Sequence, residues 1–456
     1  MSANLNENNA AAFEYKSVRI HMLQGRYAND RPLEIGDLVF GFTYFEDITK
    51  PFISANLNIN DTGMNLIGSG VGPITGNERV EIVVTGPDGA DYIYNFRVYR
   101  VGDRIVSNKL QNYNLGLISS EALADPRIRI RRSLTGRTDE IVRTVLTDDL
   151  GTSKDIIADP SLNQKKLIPK NLTPFAICAK LQDQSIPRGR GGSGSGAESS
   201  DGKLTRGIAG YFFFENANGY NFRSIDSLMD VKGTLDLNNA GQNSFVKTFE
   251  DSAGENESDT KLIDVKFTSE INMLHGLRTG AYALRCQFYN FSTGDFDEST
   301  YSASDTWFKQ SHLGSQDDLT PGQKTLSNTP TRIISAIIDD ESYYSGQDSA
   351  SESGFRYKDQ TPNTLPQAIS RNYLLNTQGV RVTVPGNLQL VVGDVVRIFL
   401  QNQINQEERK IESIDTDHSG FYLVTSLSRF YNTVDKRVTT MLDLKRDSYG
   451  LLDIET

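Results

Sequence analysis

Apolar and polar residues alternate with a period of two over long stretches of this chain, the pattern of strands with one face buried. Ile53, Ala55, Leu57 and Ile59 interleave with Ser54, Asn56, Asn58 and Asn60, and Val18, Ile20 and Met22 alternate likewise. Val80, Ile82 and Val84 run into Gly86-Pro87-Asp88-Gly89, after which Tyr92, Tyr94, Phe96 and Val98 alternate again, predicting a hairpin around a turn cluster. Residues 14 to about 110 read as all-β.

From 113 to 187 the pattern is mixed. Ile128 and Ile130 take one face of a predicted strand, with Arg127, Arg129 and Arg131 on the other. Thr138 caps a predicted helix whose stripe is Ile141, Val142, Val145 and Leu146, and Gly151 ends it. Thr173 and Pro174 open a second helix with Phe175, Cys178 and Leu181 inward. The run PRGRGGSGSGAESSDGK over 187–203 is depleted in apolar residues and reads as a linker or loop. Beyond it, Tyr211, Phe212, Phe213 and Phe214 face Tyr220 and Phe222 across Asn216 to Gly219, a second hairpin signal.

The spacing of Ile271, Leu274 and Leu277 predicts a short helix, followed by a strand over 281–289 and a turn at Ser292-Thr293-Gly294. Ile333, Ile334, Ile337 and Ile338 sit at helical spacing, and a further helix is predicted over 365–375, its start framed by Pro362 and Pro366. The last eighty residues return to strands: Val380, Val382 and Val384; 388–392; 395–400; 421–427; and Val438, Thr440, Leu442 and Leu444. With a β-module at each end and helices and hairpins between, the expected class is α+β with an antiparallel bias.

At 456 residues the chain exceeds the roughly 250–300 residues at which single cores stop growing, so several modules are expected. A hydrophobic content of 37% with 38 glycines reaches the ordinary globular range. The net charge of -11 makes a wrapped polyanion a poor partner; it fits solubility, and also a surface past which DNA slides without sticking. Cys178 and Cys286 lie in apolar stretches and are too few for a disulfide framework or a four-thiolate zinc site, which fits synthesis in a reducing compartment. The first twenty residues lack a basic start followed by an apolar run, and no stretch of about eighteen apolar residues occurs, so neither an export signal nor membrane insertion is expected.

Chemistry has few centres. Among the four histidines, His21, His275 and His312 read as solvated or packing residues. Asp415, Asp417 and His418 could offer metal ligands, but Asp and Gly420 fit a turn better. Asp148-Asp149 and Asp339-Asp340-Glu341 follow helical stripes without a spacing suited to acid/base work. Gly68, Gly70 and Gly72 lack the strand-to-helix context of a dinucleotide loop, and Gly202-Lys203 is followed by Leu204. Arg188-Gly189-Arg190 is a single short arginine-glycine segment, and the arginines of 127–132 suit a subunit contact or solvent. No catalytic residue, metal ligand or cofactor site is assigned, and the expected class is a structural, self-assembling protein.

Several segments together resemble the central hub proteins of contractile-tailed phage baseplates: FEDITKPFISANLNINDTG (45–63), GNERVEIVV (76–84), GYFFFENANGYNFRSIDSL (210–228), LRTGAYALRCQFYNFSTGDF (277–296) and SGFYLVTSLSRFYNTVDKRVTTMLDLKRDSYG (419–450). The resemblance implies two tail-tube-like β-barrel modules with smaller α/β insertions. On it, residues 1–112 form the first module, completed by a hairpin over 208–235; 113–187 and 377–456 form the second; 188–207 is a linker; and 236–376 is an inserted α+β module. It further implies a homotrimer presenting a pseudo-sixfold ring that joins the hexameric tail tube to the trimeric central spike. Neighbouring baseplate subunits and the tape measure protein are further implied partners, with DNA only in transit through the lumen. The implied location is the axis of the virion's baseplate, after synthesis in the host cytoplasm.

Strand edges left open in one copy are satisfied when copies close into a ring, which suits the same reading. Two other readings compete: a carbohydrate-binding β-protein using the aromatics of 282–301 and Trp307, and a hub that also degrades the cell wall.

Overall fold

The computed structural model describes residues 11–24, 31–63, 66–67, 73–107, 110–162, 164–187, 209–231, 244–247, 261–270, 272–290, 294, 296–307, 310–315, 327–338, 361–400 and 414–451. The glycines at 68, 70 and 72, the acidic run 339–341, the arginine-glycine segment and Gly202-Lys203 lie outside these residues.

Seven strands come first: β1 (Glu14–His21), β2 (Leu33–Glu34), β3 (Val39–Asp47), β4 (Ser54–Asp61), β5 (Arg79–Thr85), β6 (Asp91–Ser107) and β7 (Leu110–Ile118). A mixed region follows with α1 (Ser120–Ala124), β8 (Leu134–Arg137), α2 (Thr138–Thr144), β9 (Ile156–Ala158), β10 (Gln164–Leu167), α3 (Pro174–Gln182), β11 (Tyr211–Asn216), β12 (Gly219–Ser224) and α4 (Ile225–Leu228). Then come β13 (Ser244–Lys247), β14 (Asp264–Ser269), α5 (Met273–Thr279), β15 (Ala283–Asn290), β16 (Phe296–Ser302), α6 (Ala303–Thr306), β17 (Arg332–Ile338) and α7 (Thr361–Leu374). The last strands are β18 (Gln378–Pro385), β19 (Val395–Leu400), β20 (Gly420–Asn432) and β21 (Arg437–Arg446). The protein is α+β and predominantly antiparallel.

The alternation in β4 is realised as read: Ala55, Leu57 and Ile59 are buried while Ser54, Asn56, Asn58 and Asn60 take the other face. Strands from both ends of the chain join in one 13-stranded sheet, ordered β14-β18-β21-β20-β3-β4-β7-β6-β5-β1-β2, with β19 on β20 and β13 on β19. The strand that unites them is β20. Its first residues pair with β19, from Gly420 opposite Ile398 to Leu423 opposite Val395, and its remainder pairs on β3, from Ser426 opposite Asp47 to Asn432 opposite Gly41. Along the other edge β21 follows it from Leu423 to Asn432.

Two separate closed barrels are therefore not what these strands build. A 13-residue strand shared between the halves makes a single sheet. The chain just before β1 meets the start of β21 through one bridge pair, Ala12 with Arg437, flanked by Phe13 N–H donating to Lys436 O (3.2 Å) and Val438 N–H to Ala11 O (2.7 Å). That contact is a bridge and not a ladder, so the described residues form no closed barrel.

The hairpin β11–β12 explains its unbroken aromatic run. Phe212 and Phe214 enter the core of the main sheet, whereas Tyr211, Phe213, Tyr220 and Phe222 enter a second core with α2 and α3. Both faces of β11 are buried, so its run Tyr211 to Phe214 has no polar member. Its two-residue turn, Ala217-Asn218, leads into Gly219 at φ +120°, where a Cβ would lie 2.3 Å from Asp155 O. Gly219→Ala is expected to cost at least about 1–3 kcal/mol from backbone strain alone, read as a lower urea midpoint.

The helix at Thr173 forms as expected, with Thr173 Oγ1 accepting from Ala176 N–H (3.3 Å) and Pro174 in the first turn. Other expectations are overturned. Residues 332–338 form a strand, parallel to β15, because the β-branched isoleucines suit a pleated surface and alternate there: Ile334 packs under the sheet while Ile333 and Ile337 face solvent. Residues 388–392 form no strand but an apolar loop buried against the main core, and 128–132 hold only the bridge between Ile130 and Leu172. In α5 Leu274 points outward, and Ile271 lies outside the described residues.

Candidate assembly surfaces and the junction behind them

Buried charges mark the place where the main sheet meets the hairpin. Strand alternation carries Phe42, Tyr44 and Glu46 inward on β3, so a glutamate, 1% exposed, stands in an apolar layer. Its carboxylate accepts from Tyr44 Oη (2.5 Å), Ala217 N–H (2.8 Å) and Val392 N–H (2.8 Å), tying β3, the hairpin turn and the 388–392 loop together. Burial raises its pKa above the ordinary glutamate range, against the opposing pull of Arg429 and the three donors.

Arg429, also 1% exposed, is the inward residue between Leu427 and Tyr431 on β20. It donates to Leu388 O (2.9 Å) and Leu390 O, and its guanidinium stands 5.5 Å from the centre of the Tyr44 ring. Those bonds hold the loop that would otherwise leave carbonyls buried and unpaired.

A second charged knot lies beside the first. Lys154 Nζ reaches Glu215 Oε1 and Glu121 Oε2, both at 2.6 Å, and Ser119 Oγ donates to Glu215 Oε2 at 2.7 Å. Burial raises the Glu215 carboxyl; at Glu121 burial pushes the same way but Lys154 overcomes it and the net shift is downward. The Lys154 ammonium is opposed by burial and held up by both carboxylates, with a net upward shift. Ser119, Lys154 and Glu215 border a cleft of about 650 Å3 between β6, the hairpin turn and the loop holding Leu388.

The histidines divide as their surroundings dictate. His21 ends β1 half-buried, and His275 is exposed on α5. His418 closes a turn, its Nδ1 2.7 Å from Asp415 Oδ2, while Asp415 Oδ1 accepts from the N–H groups of Asp417 and His418. His312 is the one the sequence undersold: Nδ1 lies 2.6 Å from Asp447 Oδ2, Nε2 lies 2.9 Å from Trp307 O, and the ring stacks on Trp307 at 3.8 Å. Burial would raise the Asp447 carboxyl, but His312 and its other donors bring it below the ordinary aspartate range. Trp307 is 7% exposed in this stack, so it offers no open face to a sugar ring.

Asp148 and Asp149 end α2's extension, where Asp149 pairs with Arg132 at 2.7 Å. Arg127, Arg129 and Arg131 are exposed, and both cysteines are buried. Among the described residues no three His, Cys, Asp or Glu side chains gather in a way that could hold a metal, and no helix is long and apolar enough to cross a membrane.

What the described surface offers is an open strand. Beyond Val98, which bonds the backbone of Asn77 and Glu78, β6 pairs with β7 and no longer with β5, and residues 99–107 are exposed except for a half-buried Gly102. Over 96% of this chain and 97% of the other, the structure superposes on a tail protein from Neisseria meningitidis MC58, with a TM-score of 0.53 at 9% identity. The chain has the fold of that tail protein.

Two further solved structures are similar over most of the chain at lower TM-scores. A 43 kDa tail protein of prophage MuSo2 from Shewanella oneidensis is similar over 95% of this chain and 98% of that one (TM-score 0.47, 9% identity). A type VI secretion system component from E. coli is similar over 96% and 78% (TM-score 0.42, 9% identity). No family model matches the chain, and no curated protein sequence matches it. The tail-protein fold is thus visible in backbone geometry at an identity where sequence comparison is silent.

Proposed function

We propose that this chain is a structural hub of a contractile-tail baseplate: a homotrimeric, pseudo-sixfold ring that joins the hexameric tail tube to the trimeric spike and lets DNA pass along its axis. The observation that carries the reading is the end-to-end likeness to a tail protein, over 96% of this chain and 97% of that one. The polarity of the main sheet adds to it. On the face turned away from the core, Asn56 on β4 sits between Thr43 on β3 and Gly116 on β7, and Asn58 sits between Gly41 and Asn114. This patch is uncharged and polar, although Phe430 stands opposite Thr43 at its border and the Arg381–Asp443 pair lies further along the same face; on an acidic chain such a patch does not bind phosphates tightly, which suits a lumen through which DNA slides.

The partners in this reading are the tail tube protein, the central spike protein, neighbouring baseplate subunits and the tape measure protein. Cryo-EM of the intact particle tests it: three copies encircling the axial channel between tube and spike are expected. Density for the chain away from that axis overturns the reading.

A further inference from the structure

Strand β6 changes partners midway, and the change leaves its first half open on one side. Residues Asp91 to Phe96 pair with β5 alone, because the ladder to β7 begins at Arg97 opposite Ile118, where β7 ends and the chain turns into α1. Bonded pairs alternate along an antiparallel ladder. Gly86 N–H donating to Ala90 O (2.9 Å) and Val98 N–H donating to Glu78 O (2.9 Å) set the phase. Tyr92, Tyr94 and Phe96 therefore turn their main-chain N–H and C=O groups to β5, and Asp91, Ile93 and Asn95 turn theirs the other way. Among the described residues nothing pairs with those three on that side.

This open edge forms one wall of the cleft of about 650 Å3, across from the hairpin turn Ala217-Asn218 and the loop holding Leu388. A row of unpaired main-chain groups is a template for a further strand. From Asp91 to Asn95 it runs about 13 Å at roughly 3.3 Å per residue, enough for a segment of about five residues. The side chains around it suit such a segment. Tyr92, Leu388 and Val391 line the cleft together with Arg429, whose Nε is buried and has no hydrogen-bond partner among the described residues. On the opposite face of β6, Ile93 is 61% exposed. A cleft has two walls, so an edge strand held in its own sheet, such as β14, β16 or β17, does not enter it, whereas a single extended segment does.

We propose that the cleft takes an extended segment of a neighbouring tail protein, roughly five residues long, which adds to β6 in the place that β7 leaves after Ile118. Its backbone pairs with the open groups of Asp91, Ile93 and Asn95. Its side chains alternate between the two faces of the extended sheet. Those on one face pack on Tyr92 and Leu388, where an acceptor oxygen meets the unbonded Nε of Arg429, and those on the other pack against Ile93. The partner is recognised by its extended backbone first and by one inward oxygen second. The proposal rests on the reading of this chain as a tail component, and it names the place where a partner attaches.

Amide hydrogen exchange, read by mass spectrometry with fragmentation to single residues, tests it on the purified full chain and on the intact particle. The amides of Ile93 and Asn95 are expected to exchange fast in the purified chain and on the order of a hundredfold more slowly in the particle. Two variants block the edge. Asn218→Trp fills the cleft from an exposed turn residue, and Ile93→Pro removes an N–H that faces the cleft while leaving the N–H groups that bond β5. Each is expected to lower incorporation into particles about tenfold or more, Asn218→Trp with an unchanged urea midpoint. Amides that stay fast in the particle, or are already slow in the dilute purified chain, overturn the proposal. So does protection that appears when the purified chain is concentrated, which assigns the edge to a second copy, and so does normal incorporation of Asn218→Trp. The hub reading is decided separately, by position in the particle: a chain seen on the axis with these amides still fast removes only the strand addition.

Discussion

Arg429→Ala is expected to lower stability by about 3–5 kcal/mol, the range for stripping one partner from a buried charged network. The loss has three parts in the geometry. The carbonyls of Leu388 and Leu390 lose a charged donor, the space beside the Tyr44 ring empties, and Glu46 loses the positive charge that offsets its burial. Equilibrium urea unfolding is the measurement, and an unchanged midpoint would show that the junction is not a stabilising element.

A pH series adds a sign. The Glu46 carboxyl is raised in the folded state, so its contribution is fully present below its unfolded value near 4.5 and is lost as pH rises through the higher folded value. Without Arg429 the folded value climbs further, so the deficit of the variant is larger at neutral pH than in mild acid.

Lys154→Met is expected to cost about 3 kcal/mol at neutral pH, at the lower end of that range because the ammonium is 30% exposed. It leaves Glu121 and Glu215 with no cation within a salt-bridge distance in this cluster. In the wild type Glu121 is held low, so its contribution is present above about 4.5 and lost as pH falls through the lower folded value. Glu215 is raised and acts in the opposite sense. In the variant both carboxyls rise, both prefer to bind protons in the folded state, and stability should recover on acidification from neutrality toward pH 5. A variant that loses stability in parallel with the wild type over that window would remove the ion-pair account.

The network of Glu46 and Arg429 had a trace in the alternation. Glu46 follows Phe42 and Tyr44 at inward positions, and Arg429 stands between Leu427 and Tyr431. A charge on the apolar phase of a strand has to be paired or hydrogen-bonded once the face is buried. The partners were out of reach: Ala217 lies 171 residues from Glu46, and Val392 lies 346 away. The same holds for His312, whose carboxylate partner is 135 residues on in the chain.

Local pattern alone settled the strands near the two ends of the chain apart from 388–392, the hairpin around residues 86–89, the aromatic hairpin with its turn before Gly219, and the proline-opened α3. In each, period, turn residue and cap agree within a window shorter than twenty residues. It could not settle 332–338, where four isoleucines satisfy both periods, because the choice is made by an adjacent strand, β15, lying some fifty residues earlier in the chain. Nor could it settle closure. Whether two runs of strands become two barrels or one sheet depends on which edges meet, and here β20 offers one edge to β19 and β3 in turn, a pairing fixed by tertiary packing between segments almost four hundred residues apart. Periodicity reports which face of a strand is buried; only the assembled sheet reports what that face is buried against.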